Sequence, residues 1–289
     1  MRRSLTPAVL GLFASVATAL GAEPMKGGTR YRMTINVDST FPGRKGPGTS
    51  WGMVAYDYRL ARNGARVEMA IDRITRENSS NGQGINRRES TRTAEVSRAW
   101  DGDVRVTDRT NGRPEEIAGL DQMEAPFVVL TRDAEGREVG RELKGGIFSD
   151  TYVETLRPFP ATFPKDKGEW DAKPPHPPMP GQESHGTLHY VKRPATKPGG
   201  PIEVEVSGKL KLTGKWGPGE IKEGHEEVKG VQTFDPSLGD WVASKLTIVT
   251  EIEMVTPAGE TQTMRSTSVR TLTCEDSATG AAEKVKESP

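Results

Sequence analysis

The chain has 289 residues, 33% of them apolar and 28% charged, with 40 basic residues balancing 40 acidic ones. That composition is too polar for a helical membrane protein, while its periodic segments argue against global disorder. A formal charge of zero gives no electrostatic reason to expect nucleic acid or anionic lipid as a partner. The 32 glycines and 21 prolines suit a fold with many turns.

The N-terminus reads as an export signal. Arg2 and Arg3 form a charged start, Leu5 to Val16 is mostly apolar, and small residues around Ala17, Ala19 and Gly21 offer cleavage sequences. Residues 1–21 are therefore expected to be a signal peptide. No later stretch is long and apolar enough to be expected to span a bilayer as a helix. An exported chain, periplasmic or extracellular, is the expectation.

Thr29 to Asp38 alternates, with Tyr31, Met33, Ile35 and Val37 on one face, the period-two signature of a half-buried strand. Phe41 to Thr49 reads as a Gly/Pro-rich loop. Ser50 to Ala61 and Ala65 to Ile74 flank Asn63-Gly64, residues that tolerate the positive φ of a tight hairpin. Arg76 to Gly84 reads as a polar loop. Thr91 to Trp100 and Val104 to Thr107 flank a second turn at Asp101-Gly102, and Pro126 to Arg132 and Arg137 to Leu143 flank a third at Asp133 to Gly136. Glu115 to Met123 and Ile147 to Leu156 are expected to be short helices.

Pro158 to Gly181 carries eight prolines, which remove amide donors and resist both helix and central strand. A short strand at Lys167 to Ala172 is expected inside it. Beyond it, Ser184 to Lys192, the alternating run around Ile202 to Leu212, Val228 to Phe234 and Trp241 to Met254 read as strands. Glu260 to Thr273 is Thr-rich and polar, suited to an edge or a wet face. The expected organisation is a β-rich first half (26–157), a Pro-rich linker (158–183), a β-rich second half (184–274) and a disordered tail (275–289). The expected fold is mainly β, with long antiparallel strands in one or two curved, half-barrel-like sheets and a few short helices.

The sequence offers little chemistry. Gly48-Thr49-Ser50-Trp51-Gly52 matches a serine-nucleophile motif literally, but that motif needs a strand-to-helix turn, and here a strand pattern follows the serine. His185 and His189 share a face of one expected strand, about 13 Å apart at about 3.3 Å per residue, too far for one ion. With a single cysteine, Cys274, neither an intrachain disulfide nor a thiolate zinc site can form. No nucleotide-loop, dinucleotide, zinc-protease or EF-hand motif occurs. No enzyme, cofactor or metal is expected. The Met and aromatic positions Tyr31, Met33, Met53, Tyr56, Tyr58, Met69, Trp241 and Met254 lie on expected strands, where they form either ordinary core or the lining of an apolar groove.

Tyr31 to Val37, Phe127 to Val139, Phe159-Pro160 to Trp170 and Gly230 to Glu253 together resemble a family of uncharacterised secreted bacterial β-rich proteins. In that family a proline-flanked segment ending near Gly168-Glu169-Trp170-Asp171 separates two halves. The resemblance implies an envelope location and carries no catalytic residues. The long-strand layout is also similar to the incomplete barrels of periplasmic lipoprotein and lipid carriers. That likeness implies a lipid ligand, and the wet sheet face offers an envelope protein as the alternative partner.

Overall fold

The computed structural model describes residues 23–43, 46–81, 84–133, 137–146, 148–160, 163–174, 181–195, 197–216 and 219–275. The expected signal peptide, the tail beyond 275, the third hairpin's turn at 134–136 and the Pro-rich run 175–180, with His176, lie outside these residues.

The first half supplies β1 (Thr29–Gly43), β2 (Gly46–Asn63), β3 (Arg66–Ser80), β4 (Asn86–Thr91), β5 (Ala94–Arg98), β6 (Val104–Asp108), α1 (Pro114–Asp121), β7 (Pro126–Arg132), β8 (Glu138–Leu143) and α2 (Asp150–Leu156). The second supplies β9 (Glu169–Ala172), β10 (Gln182–His185), β11 (Leu188–Lys192), β12 (Ile202–Trp216), β13 (Gly219–Asp235), β14 (Asp240–Val255) and β15 (Thr261–Cys274). All strands join one antiparallel sheet. Its path runs β6-β5-β4-β3-β2-β1-β15-β14-β13-β12-β11-β9, with β7 and β8 branching from β3 and β10 beside β12. The path ends on β6 and β9, which do not pair with each other, so the sheet is open. The mainly β fold with long antiparallel strands and two short helices is as the sequence implies.

β1 is the seam of the molecule. It pairs with β2 on one side and with β15 on the other, Tyr31 standing between Tyr58 and Cys274 and Met33 between Tyr56 and Leu272. Both halves of the chain therefore share one sheet and one hydrophobic core. The sheet curls around residues 148–160 and Phe163, which supply Phe148, Val153, Leu156, Phe159 and Phe163 to that core. In a flat sheet β2 and β13, four places apart in the path, would lie about 19 Å apart at about 4.8 Å per strand. Yet Tyr58 on β2 donates its hydroxyl proton to the Leu156 carbonyl at 2.8 Å, and Gln232 on β13 donates to the Pro158 carbonyl at 2.7 Å. Two carbonyls two residues apart reach both strands because the sheet is bent around them.

The Asn63-Gly64 hairpin forms as its residues require, Gly64 adopting φ +58°. Several expected boundaries are corrected. The loop at Phe41 to Thr49 is mostly strand, since β1 and β2 stay paired up to Gly43 opposite Gly46. The loop at Arg76 to Gly84 is strand to Ser80, and it leads into β4 (Asn86–Thr91), a strand that sequence reading missed. Both stretches lie beyond the main core, and only Phe41, which packs on the small cluster of Leu212, Ile252 and Met264, marks an apolar face there, so the alternation signal fades. The expected strand Ser184 to Lys192 is two strands, broken at Gly186, which sits at φ +128°. β15 is not an edge strand. It lies between β1 and β14, with its polar residues spread over exposed and half-buried positions.

Candidate functional site

Tyr31, Met33, Tyr56, Tyr58, Met69 and Trp241 belong to one packed core, Met33 and Met69 being 0% exposed. The space that the curved sheet encloses at this end is filled by the chain's own Phe148, Val153, Leu156, Phe159 and Phe163. Tyr31 stacks on Tyr58 with ring centres 5.4 Å apart, and Phe159 stacks on Trp241 at 5.2 Å. A register shift between Thr233 and Phe234 brings Trp241 opposite Phe234, and Phe163 stacks on Phe234 at 4.0 Å. Burial pushes the hydroxyls of Tyr31, Tyr58 and Tyr190 well above the usual tyrosine range. The two remaining candidates stand elsewhere. Met53 is on the other face of β2, one residue out of step with Val54 and Tyr56, opposite Asn36 and Glu77. Met254 packs in a second, small cluster with Leu212, Ile252 and Met264 at the far end of the sheet.

Ser50 lies inside β2, opposite Ser39 and Ser80, so the strained turn of a nucleophile motif is replaced by regular strand. The described histidines point to other partners. The His185 ring bonds the Thr213 hydroxyl at 2.9 Å, His189 bonds Asp171 at 3.0 Å, and His225 meets Glu251 at 3.2 Å.

At the end of the core where β14 begins, three arginines converge on one carboxylate. Asp240 is 6% exposed at its side chain. Arg157, directly after α2, donates to it at 2.5 Å, Arg62 of β2 at 3.3 Å, and Arg132 of β7 stands 3.8 Å away. Arg62 also donates to the Leu238 carbonyl at 2.8 Å, and the Trp241 amide donates to Asp240 at 2.9 Å. Burial alone would raise the Asp240 carboxyl, but Arg157, Arg132 and these hydrogen bonds hold it below the usual carboxylate range. Arg132 is pushed down to about 10, first by burial and then by repulsion from Arg157.

Arg132 is the unsatisfied member. Its side chain is 13% exposed, and 3.8 Å to an already shared carboxylate is not a hydrogen bond. Among the described residues its guanidinium makes no hydrogen bond. It faces a pocket of about 410 Å³ lined also by Arg141, Arg157, Lys173, Glu138 and Glu154, with Val153, Phe159, Pro160 and Pro174 forming apolar wall. Arg141 is neutralised by Glu138 at 2.7 Å and Asp150 at 3.0 Å. The local balance leaves positive charge in excess beside Arg132. Sequence reading missed this site because its members are separated by up to 178 residues. The only local sign was a charged residue directly bounding an apolar strand run, as in Phe127 to Arg132 and Asp240-Trp241-Val242.

The fold and pocket together define an open, curled antiparallel sheet with a basic cleft at one end. No family model matches the chain, and no curated protein matches it. Three solved structures show partial likeness. Lipovitellin, from a study of its lipid–protein interactions, has a TM-score of 0.47 at 12% identity over 86% of this chain and 25% of its own. The β-domain of the Bordetella autotransporter Brka has 0.31 at 10% identity over 85% of this chain and 99% of its own. An outer membrane channel from Pseudomonas putida F1 has 0.23 at 7% identity over 89% of this chain and 99% of its own. The chain thus spans a quarter of the length of the lipovitellin chain.

Proposed function

We propose that the protein is an exported, non-catalytic binding protein of the bacterial envelope whose ligand is an anionic amphiphile seated on Arg132. The observation that carries this reading is the Arg132 guanidinium, largely buried and without a hydrogen-bond partner among the described residues, at the wall of a cleft of about 410 Å³. A buried cation in that state is stabilised by an incoming carboxylate or phosphate, which can accept two parallel N–H bonds from it. Phe159, Val153, Pro160 and Pro174 supply apolar wall for the first part of an attached chain. The export signal that the sequence leads one to expect at residues 1–21 is in keeping with that location. The regular strand around Ser50 supports a binding role over hydrolysis.

The test is native mass spectrometry of mature protein purified gently from its own host, with lipid extraction, repeated on Arg132→Gln. An acidic lipid or fatty acid bound to wild type and lost from the variant is the expected result. An apo mass for wild type, with no oleate or phosphatidylglycerol uptake on titration, overturns the reading.

A second reading, a protein-interaction module, is favoured by the free edge. β6 pairs only with β5, and Val104 and Val106 on it are 53% and 43% exposed, with Trp100 nearby at 60%. Asn111 already donates to the Val106 carbonyl at 2.8 Å, and the remainder of this apolar edge is a template for strand addition by a partner.

A further inference from the structure

A second cavity, of about 380 Å³, lies far from the arginine cleft, towards the other end of β1 and β2. Its main rows lie on the face opposite the core, and Ser39, Ser50 and Ser266 of the alternate register also line it. Asp38 of β1 stands between Trp51 of β2 and Thr267 of β15, and Trp51 in turn faces Ser79 of β3. One step along the strands, Thr40 stands between Thr49 and Arg265, and Asn81 closes the row, its side-chain oxygen accepting from the Thr49 amide at 3.1 Å. The two rows cross four strands, about 14 Å at about 4.8 Å per strand.

Core packing does not account for Trp51. Its cross-strand neighbours on this face are Asp38 and Ser79, and both hydrophobic clusters lie elsewhere. Even so, the indole is half-buried in a polar depression. Asp38 is exposed and has no ion pair or hydrogen bond among the described residues, whereas Arg265 is held by Glu251 at 3.2 Å. The cavity thus combines one flat aromatic face, one free carboxylate, an amide and several hydroxyls, with its one cation, Arg265, already held by Glu251. An aromatic face stacks on the C–H face of a sugar ring, and a carboxylate accepts from two neighbouring ring hydroxyls. A lipid tail finds no continuous apolar wall here, and an anion meets Asp38.

We propose that this cavity is a carbohydrate-binding site for a neutral glycan, with Trp51 as the stacking platform and Asp38 as the principal hydroxyl acceptor. The ligand runs along the row of four strands as an extended chain on the surface. This site is independent of Arg132, and either can fail without the other.

The experiment titrates the folded protein with maltohexaose, laminarihexaose and chitohexaose, and co-sediments it with purified peptidoglycan sacculi. Saturable binding to at least one of these is expected, weakened about tenfold or more in Trp51→Ala and Asp38→Asn, and less in Trp51→Phe. Trp100→Ala, which removes the exposed indole, leaves binding unchanged. Equal thermal midpoints show that the variants are folded. Failure of all four probes to bind wild type overturns the proposal, as does a folded Trp51→Ala that binds like wild type.

Discussion

Arg157 and Asp240 form a buried ion pair, 2.5 Å from guanidinium nitrogen to carboxylate oxygen, that ties the end of α2 to the first residue of β14. The pair fastens the inner segment to the wall of the sheet, and it also sets the charge that Arg132 feels. Its loss is therefore expected to be felt both in stability and at the cleft.

Asp240→Asn leaves three arginines without their carboxylate. Removing one partner of a buried pair costs about 3–5 kcal/mol, because the remaining charge stays desolvated. Urea unfolding followed by tryptophan fluorescence measures it. A loss under about 1 kcal/mol would mean that water reaches the cluster freely.

The same carboxylate gives stability a pH dependence on the acid side. Its folded pKa lies below its unfolded value, so the folded state binds fewer protons in that window. The Asp240 contribution is fully present above the unfolded pKa, near 4, and is lost as pH falls through the folded value. Wild type is expected to lose more stability than Asp240→Asn as pH falls below about 4, read from the urea midpoint at each pH.

Tyr58→Phe removes the hydroxyl that bonds the Leu156 carbonyl and leaves that acceptor buried. A loss of about 1–2 kcal/mol is expected. Faster hydrogen exchange in α2, with little change in distant β12, would show that the bond holds the inner segment. Uniform acceleration across the sheet would argue instead for global destabilisation alone.

The methionines divide by face. Met33→Ala and Met69→Ala empty fully buried positions and are expected to cost about 2–5 kcal/mol each. Met53→Ala, on the opposite face of β2, is expected to cost less than about 1 kcal/mol. Equal losses at all three would contradict the face assignment.

Gly230→Ala tests the centre of the sheet. A Cβ at Gly230 would stand 2.1 Å from the Lys245 carbonyl oxygen and 2.8 Å from Leu246. Backbone on the neighbouring strand cannot move aside cheaply, so overpacking of about 1–3 kcal/mol or more is expected from thermal or urea unfolding.

The strands over the core were legible because one face is apolar and the other wet, and the periods of Tyr31 to Val37 and Leu246 to Met254 say so directly. The Asn63-Gly64 turn and the short helix after Pro114 follow from local backbone chemistry in the same way. The strand ends at Phe41 to Thr49 and Arg76 to Ser80 were not legible. They run past the main core, where Phe41 alone reaches a hydrophobic cluster, and a strand with so few apolar contacts has the composition of a loop. Met53 was assigned to the wrong company for a related reason, since a list of apolar residues on strands ignores which of the two faces each one takes.

Neither site could be read from the chain. Net charge is zero, yet Arg62, Arg132 and Arg157 gather around Asp240 because β2, β7, the end of α2 and β14 meet at one end of the core. Trp51, Asp38 and Arg265 are neighbours only through the pairing of β1 with both β2 and β15. The sequence by itself determined the secondary structure over the core, the turn chemistry and the mainly β class, all of which depend on residues a few positions apart. Only the tertiary structure decided which face of the sheet was filled from within and which charges and rings came together. Those depend on strand order and curvature, and the Glu275 amide comes within 2.9 Å of the Arg30 carbonyl only when β1 closes against β15.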